Sequence, residues 1–453
     1  MYRRIKQNLV LIIKWFLWLL LLQFFLQTFV TFALGLDGSF WTIIWMWKEF
    51  LIIWLTIFVV WYFARKLEKS KIKKMWNEFP LKTFVFIFFI TLLAAFVISF
   101  FQSSISNFVI SVRYSMFGFF LFLLFYIISY LFFEDKSTKL IEWYNKIIKW
   151  VLVWALWWWI AIWIVPWVVD NLWYNQWNFE WDIWIKPPVA YYTQYKDGFV
   201  RNQFLFERPI SLGFFLVVFW PLFFVTILYK KWPNKWIFRW GLYGLILLST
   251  FSRAAWWAWF VQTIMMFLII YGKNWKRLAL YFFVPLLLLW WVVTYYGKDQ
   301  IIHRQYSNTG HVKEIKLALQ KISESPFFGK WAASAGPASH HLWEWKEYNP
   351  ENQYLQIWIE YWLIAFVWWM FLYIYLHLIG FWAWKGSNLV RENKDIKKLS
   401  LIMIAFSLGL FGLSIEWMVL HSFVDRMIVY PFMTLFGIYY AIYYKEKINL
   451  KLK

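Results

Sequence analysis

Long apolar blocks recur along the whole chain, separated by short polar segments. Blocks of roughly 18 residues or more can cross about 30 Å of hydrocarbon as helices. Only helices and closed barrels satisfy their backbone groups in lipid, and these blocks lack the period-two alternation of a barrel strand. The pattern predicts about twelve spans, at 9–33, 40–64, 83–101, 114–133, 150–169, 210–229, 237–251, 254–271, 279–296, 353–382, 399–420 and 427–444. The expected fold class is all-α, a polytopic transmembrane helical bundle, and the even number of spans puts both termini in the cytoplasm.

Two connections are long. Asp170 to Pro209 covers about 40 residues and Gly297 to Asn352 about 56. Both are read as extracytoplasmic, and long loops are where function concentrates. They divide the chain into 1–209, spans ending in the first loop (170–209), and 210–453, spans that carry the second (297–352). Within the second loop HVKEIKLALQKIS, His311 to Ser323, spaces Ile315, Leu319 and Ile322 near the helical period. It is expected to be an amphipathic helix along the membrane surface. The turn-rich SPFFG and GPASHH follow, and the next span opens at NPENQYLQ. No internal repeat or low-complexity linker is visible.

Composition agrees with the pattern: 62% of the 453 residues are hydrophobic, against roughly 45–50% in soluble domains. The formal net charge of +22 raises nucleic acid as a partner, so the placement of the 46 Lys and Arg matters. Thirty fall in segments assigned to the cytoplasm, 14 on the other side, and Lys14 and Lys48 inside spans. This is the positive-inside bias, and it accounts for the charge without nucleic acid. The N-terminus, MYRRIKQ before a long apolar run, lacks the short core and small-residue cleavage site of a signal peptide and reads as an uncleaved first span. With no Cys, disulfides and thiol chemistry are excluded.

Trp is anomalous: 40 Trp stand against 17 Gly, the reverse of the usual order. Interface belts enrich Trp at span ends, but here it also fills span centres and loop turns, as in ALWWWIAIW and GKWAASAG. Helix packing in membranes relies on small residues, which Trp replaces poorly. Many of these positions are therefore expected to be Gly in the native protein, through UGA codons decoded as Gly. A genuinely Trp-rich protein is the alternative.

Candidate chemistry lies outside the spans. Arg201 and Arg208, in VRNQFLFERPISLG, are either interfacial anchors or phosphate ligands. Arg253, in STFSRAAWWAW, is squeezed between two apolar segments, where a charge is costly and usually functional. Arg304 and His311 carry a weaker signal, since loop charges are normally just solvated. The His340 and His341 pair has no spaced carboxylate partner, so no metal and no cofactor is expected. Glu351 and Asn352 open the span at PENQYLQIWIEYWLIA, where free N–H groups and the helix dipole favour an anion. Glu351 is either a helix-end charge or a general base.

This stretch resembles the signature of the O-antigen ligase and polymerase superfamily, whose motif runs His-Asn, nine residues, Gly, two residues, then a small residue. Here Glu351 and Asn352 precede nine residues, Trp362, two residues and Ala365. Trp362 thus takes the Gly place, as recoding predicts. HVKEIKLALQKISESPFFGKWAASAG resembles the family's passage from amphipathic helix into Pro-x-x-Gly-x-Gly, with Trp331 where Gly is usual. FSRAA resembles its Ser-Arg motif at Ser252 and Arg253. Motif resemblance runs from about Arg201 to Phe366, and the rest of the chain is similar in topology only. The family's usual His is Glu351 here.

The resemblance implies a metal-independent, inverting glycosyltransferase of a bacterial cytoplasmic membrane, embedded among membrane lipids and working on their outer face. Its donor would be a polyprenyl-diphosphate-linked glycan, and its acceptor a glycan, lipid or protein hydroxyl. Arg201, Arg208, Arg253 and Arg304 would stabilise the diphosphate leaving group, and Glu351 would be the base. Asn352, His311 and Tyr354 would support it or the acceptor. A transporter or lipid-linked-glycan flippase is the rival, though such proteins place charges at the bilayer midplane and often show repeats. A membrane scaffold would leave the external Arg residues and the Glu-Asn pair unexplained.

Overall fold

The computed structural model describes residues 8–23, 47–66, 77, 79–102, 104–133, 139–164, 192–193, 200–206, 208–229, 233–271, 287, 291, 295, 305–336, 339, 348, 350–389, 394–418 and 426–451. Thirteen helices are seen among the described residues: α1 (Asn8–Gln23), α2 (Trp47–Lys66), α3 (Lys82–Gln102), α4 (Ile105–Ser115), α5 (Phe117–Phe132), α6 (Lys139–Ile164), α7 (Pro209–Tyr229), α8 (Pro233–Ser249), α9 (Arg253–Tyr271), α10 (Gln305–Glu324), α11 (Gln353–Leu389), α12 (Lys394–Glu416) and α13 (Arg426–Lys451). The described strands are β1 (Tyr192–Thr193) and β2 (Val200–Arg201), a short antiparallel pair in the first long loop.

The described residues are thus essentially all-helical, with a helix at eleven of the twelve expected spans. Six helices (α3, α6, α7, α11, α12 and α13) are long and apolar enough to cross a membrane, and the bent pair α4–α5 would be a seventh. The expected span 279–296 lies almost wholly outside the described residues.

The bundle is layered by burial. The apolar stretches of α7, α12 and α13 are 83%, 83% and 89% buried, whereas those of α3, α6 and α11 are 39%, 33% and 39% buried. The first three are therefore central, and the others turn broad faces outward. α13 runs along α5, while α12 packs against α7, α9 and α11. Close approach needs small residues: a Cβ at Gly409 of α12 would stand 2.5 Å from the Val218 carbonyl oxygen of α7. Trp220 fills the adjoining space, its ring 4.4 Å from Trp240 and 4.6 Å from Tyr243, and donates to Thr263 Oγ1 (3.0 Å).

These contacts fix helix directions. Gly409 and Gly412 of α12 face Val218 and Val217 of α7 in reverse order, so the two helices are antiparallel. Gly213 faces Ala255 and Trp220 bonds to Thr263, so α7 and α9 are parallel. The starts of α7 and α9 therefore lie at the same end of the bundle as the finish of α12. Gln353 N–H donates to the Trp417 carbonyl (3.0 Å), which adds the start of α11 to that end.

Lys48, expected inside a span, is fully buried in α2 beside Glu49 (3.7 Å). Glu49 also accepts from Arg113 of α4 at 2.6 Å, so the interior charge is paired.

Candidate functional site

α10 is amphipathic, and of the expected stripe Ile322 is buried and Ile315 half-buried, while Leu319 is not covered. Ala318 and Ile322 bury against Ala335, Tyr348 and Ile359 in a small core of their own, with Leu355 and Trp358 of α11 alongside. Leu319, assigned to the apolar stripe, is instead 52% exposed. Small Ala318 lets α10 approach α11, and Lys321 covers the Tyr348 ring at 3.8 Å. The helical period admits Leu319 as well as its smaller neighbour and does not choose between them. The Tyr348 hydroxyl donates to the Glu314 carbonyl (3.0 Å), and burial pushes its pKa up.

This docking brings two of the expected site residues together. His311 Nδ1, on α10, contacts Glu351 Oε2 at the head of α11. The two side chains remain 32% and 36% exposed, so solvent can reach them. Glu351 has φ 49°, a left-handed conformation that costs a non-glycine residue and turns the chain into the helix. Asn352 is the N-cap: its Oδ1 accepts from Leu355 N–H (3.0 Å), and its Nδ2 donates to the Met418 carbonyl (2.8 Å). The Tyr354 hydroxyl donates to the Ser414 carbonyl (3.2 Å). Asn352 and Tyr354 thus fasten the helix to the end of α12.

The arginines divide by burial. Arg201 is 5% exposed and donates from Nε to the Thr250 carbonyl (2.8 Å) and from Nη2 to the Phe251 carbonyl (3.3 Å). With Asn202, whose Nδ2 donates to the Ala155 carbonyl (3.0 Å) and Ser249 Oγ (3.1 Å), it braces the turn before α9. Arg253, first residue of α9, is half-buried, and Arg208, whose carbonyl accepts from Leu212 N–H (3.3 Å) at the start of α7, is exposed. By the helix directions above, Arg208, Arg253 and the His311–Glu351 pair occupy one end of the bundle. Arg304, His340 and His341 lie outside the described residues.

Below Glu351, α11 breaks. Tyr361 (φ −124°, ψ 18°) and Trp362 (φ 69°, ψ 161°) leave helical geometry, and the loop after α10 docks on the gap. Lys330 N–H donates to the Ile359 carbonyl (2.8 Å), Leu363 N–H to the Phe327 carbonyl (3.4 Å), and Trp358 Nε1 to the Pro326 carbonyl (2.9 Å). Gly329, at φ +60°, passes so near that a Cβ would stand 2.7 Å from the Ile359 oxygen. Lys330 also binds Glu324 at 2.7 Å and holds its carboxyl below the usual range. The two separated segments PFFGKW and WLIA therefore meet, Phe328 standing edge-on to Trp362 at 4.8 Å.

Sequence reasoning missed Glu360, fully buried one residue before the break. A carboxylate inside an apolar span was the available signal. The chain matches no protein-family model, no curated protein and no solved structure.

Proposed function

We propose that the chain is a membrane glycosyltransferase that transfers or polymerises a glycan from a polyprenyl-diphosphate donor on the outer face of a bacterial cytoplasmic membrane. The observation that carries this reading is the His311–Glu351 pair, half-exposed at the bundle end where Arg208 and Arg253 also lie. The full arrangement would have about twelve spans, with two long outer loops over the site.

The Glu351 carboxylate takes the proton of an acceptor hydroxyl as its oxygen bonds to the anomeric carbon. The bond from that carbon to the diphosphate breaks on the opposite face, so configuration inverts. His311 orients the carboxylate. Arg253 and Arg208 stabilise charge on the departing diphosphate. Arg201 holds the turn that aims Arg253, and Arg304 would join from the outer loop. The acceptor is a second glycan, a lipid or a protein hydroxyl.

The test is transfer from a synthetic polyprenyl-diphosphate sugar in proteoliposomes. Glu351→Gln is expected to lower the rate by about 10²–10⁴-fold, the span of general base catalysis, with membrane insertion unchanged. His311→Ala should cost less. A Glu351→Gln variant at full rate would overturn the assignment of the base.

The rival reading is transport, favoured by the break in α11, since discontinuous helices line many transporter sites. Passage of the intact lipid-linked glycan, with no product of altered mass, would establish it instead.

A further inference from the structure

Two helices are interrupted inside the bundle, and the interruptions meet. α4 and α5 bend by 67° around Met116, and α11 breaks at Tyr361–Trp362. Between them Ser111 Oγ donates to Glu360 Oε2 (2.8 Å), and the Tyr361 hydroxyl contacts the hydroxyls of Ser111 and Ser115, the latter at 2.7 Å. All four residues, and Gln356 one turn earlier, are fully buried.

The carboxylate is under-compensated. No Lys, Arg or His among the described residues pairs with Glu360, and its Oε1 has no hydrogen-bond partner there. The Gln356 carboxamide and the Ala335 backbone N–H both lie beside it without a hydrogen bond of normal geometry, and the Gln356 O and N are themselves buried without partners among the described residues. A bare carboxylate in apolar surroundings costs several kcal/mol unless something neutralises it.

The donors decide what that is. Glu360, Gln356, Tyr361 and Ser111 offer only oxygen, which suits a hard cation and not a thiophilic or imidazole-seeking one. One carboxylate balances one positive charge, whereas a divalent ion would leave an excess charge buried in low dielectric. We propose that Glu360, Gln356, Tyr361 and Ser111 form a dehydrated site for a monovalent cation of the Na⁺ class, which pins the two broken helices together. The proposal stands independently of glycosyl transfer.

The experiment uses the purified full-length chain in nanodiscs, with NaCl compared against choline chloride at equal ionic strength. Na⁺ is expected to raise the melting midpoint saturably, by about 3 °C or more, and ²²Na⁺ to bind saturably at one ion per chain. Glu360→Gln should fold in choline and lose both effects. Should that variant fail to insert, Gln356→Leu and Tyr361→Phe are expected to weaken ²²Na⁺ binding by about tenfold or more, and unchanged binding in both would overturn the site. It is equally overturned by identical midpoints in the two salts without saturable ²²Na⁺ binding, or by a midpoint that follows pH and ignores Na⁺.

Discussion

A tryptophan at φ 69°, ψ 161° sits in a backbone region that Gly enters freely and other residues reach only at a cost of about 1–3 kcal/mol. At Trp362 the side chain does not repay that strain, because its indole N–H is buried without an acceptor among the described residues. Trp220 is the contrast: packed on all sides, with its N–H bonded to Thr263. Glycine is therefore the residue that this break calls for, as the excess of Trp over Gly suggests. The mass of the native peptide spanning Pro350 to Ala365 is expected to carry Gly at position 362; Trp there would remove the recoding idea at its best-supported position. In protein made with Trp362, the Trp362→Gly change should raise the melting midpoint, and a lowered midpoint would contradict the strain.

At the scale of elements, α10 matters because it carries His311 to Glu351, and its grip on α11 rests on Ala318 and Ile322. Ala318→Lys would force a charge into that small core and separate the helices. It is expected to lower transfer at least tenfold while the chain still inserts, whereas Leu319→Lys, on the exposed side, should leave the rate within about twofold. The reverse order would restore the stripe read from the sequence. That misreading shows where the sequence stops being legible. Helices at eleven of the twelve expected positions follow from block length alone, and Glu351 and Asn352 were found from their place at a helix head. The apolar pattern of α10 marks amphipathicity but not which of two adjacent rows is covered, since that depends on how closely the partner approaches. The Glu360 network was hidden because it joins residues about 250 positions apart, and single-chain spacing carries no such signal.

For the whole molecule, the reading requires that the end bearing Glu351, Arg208 and Arg253 face outward, since a lipid-linked diphosphate assembled for export meets its acceptor there. The packing fixes which helix ends lie together, and the charge bias is our ground for proposing that this end faces outward. α12 joins the two sides: it starts at Lys394 in a Lys-rich segment and finishes at Glu416 beside the head of α11. Because the chain has no Cys, one introduced thiol reports one position. Lys316→Cys, exposed on α10, is expected to react with a membrane-impermeant maleimide on intact spheroplasts. Lys397→Cys, exposed near the start of α12, should react only after the membrane is opened. Labelling of both from outside would show that α12 does not cross the membrane. Labelling of Lys397→Cys alone from outside would invert it, moving the His311–Glu351 pair to the cytoplasm and leaving an outward-facing transferase without its base.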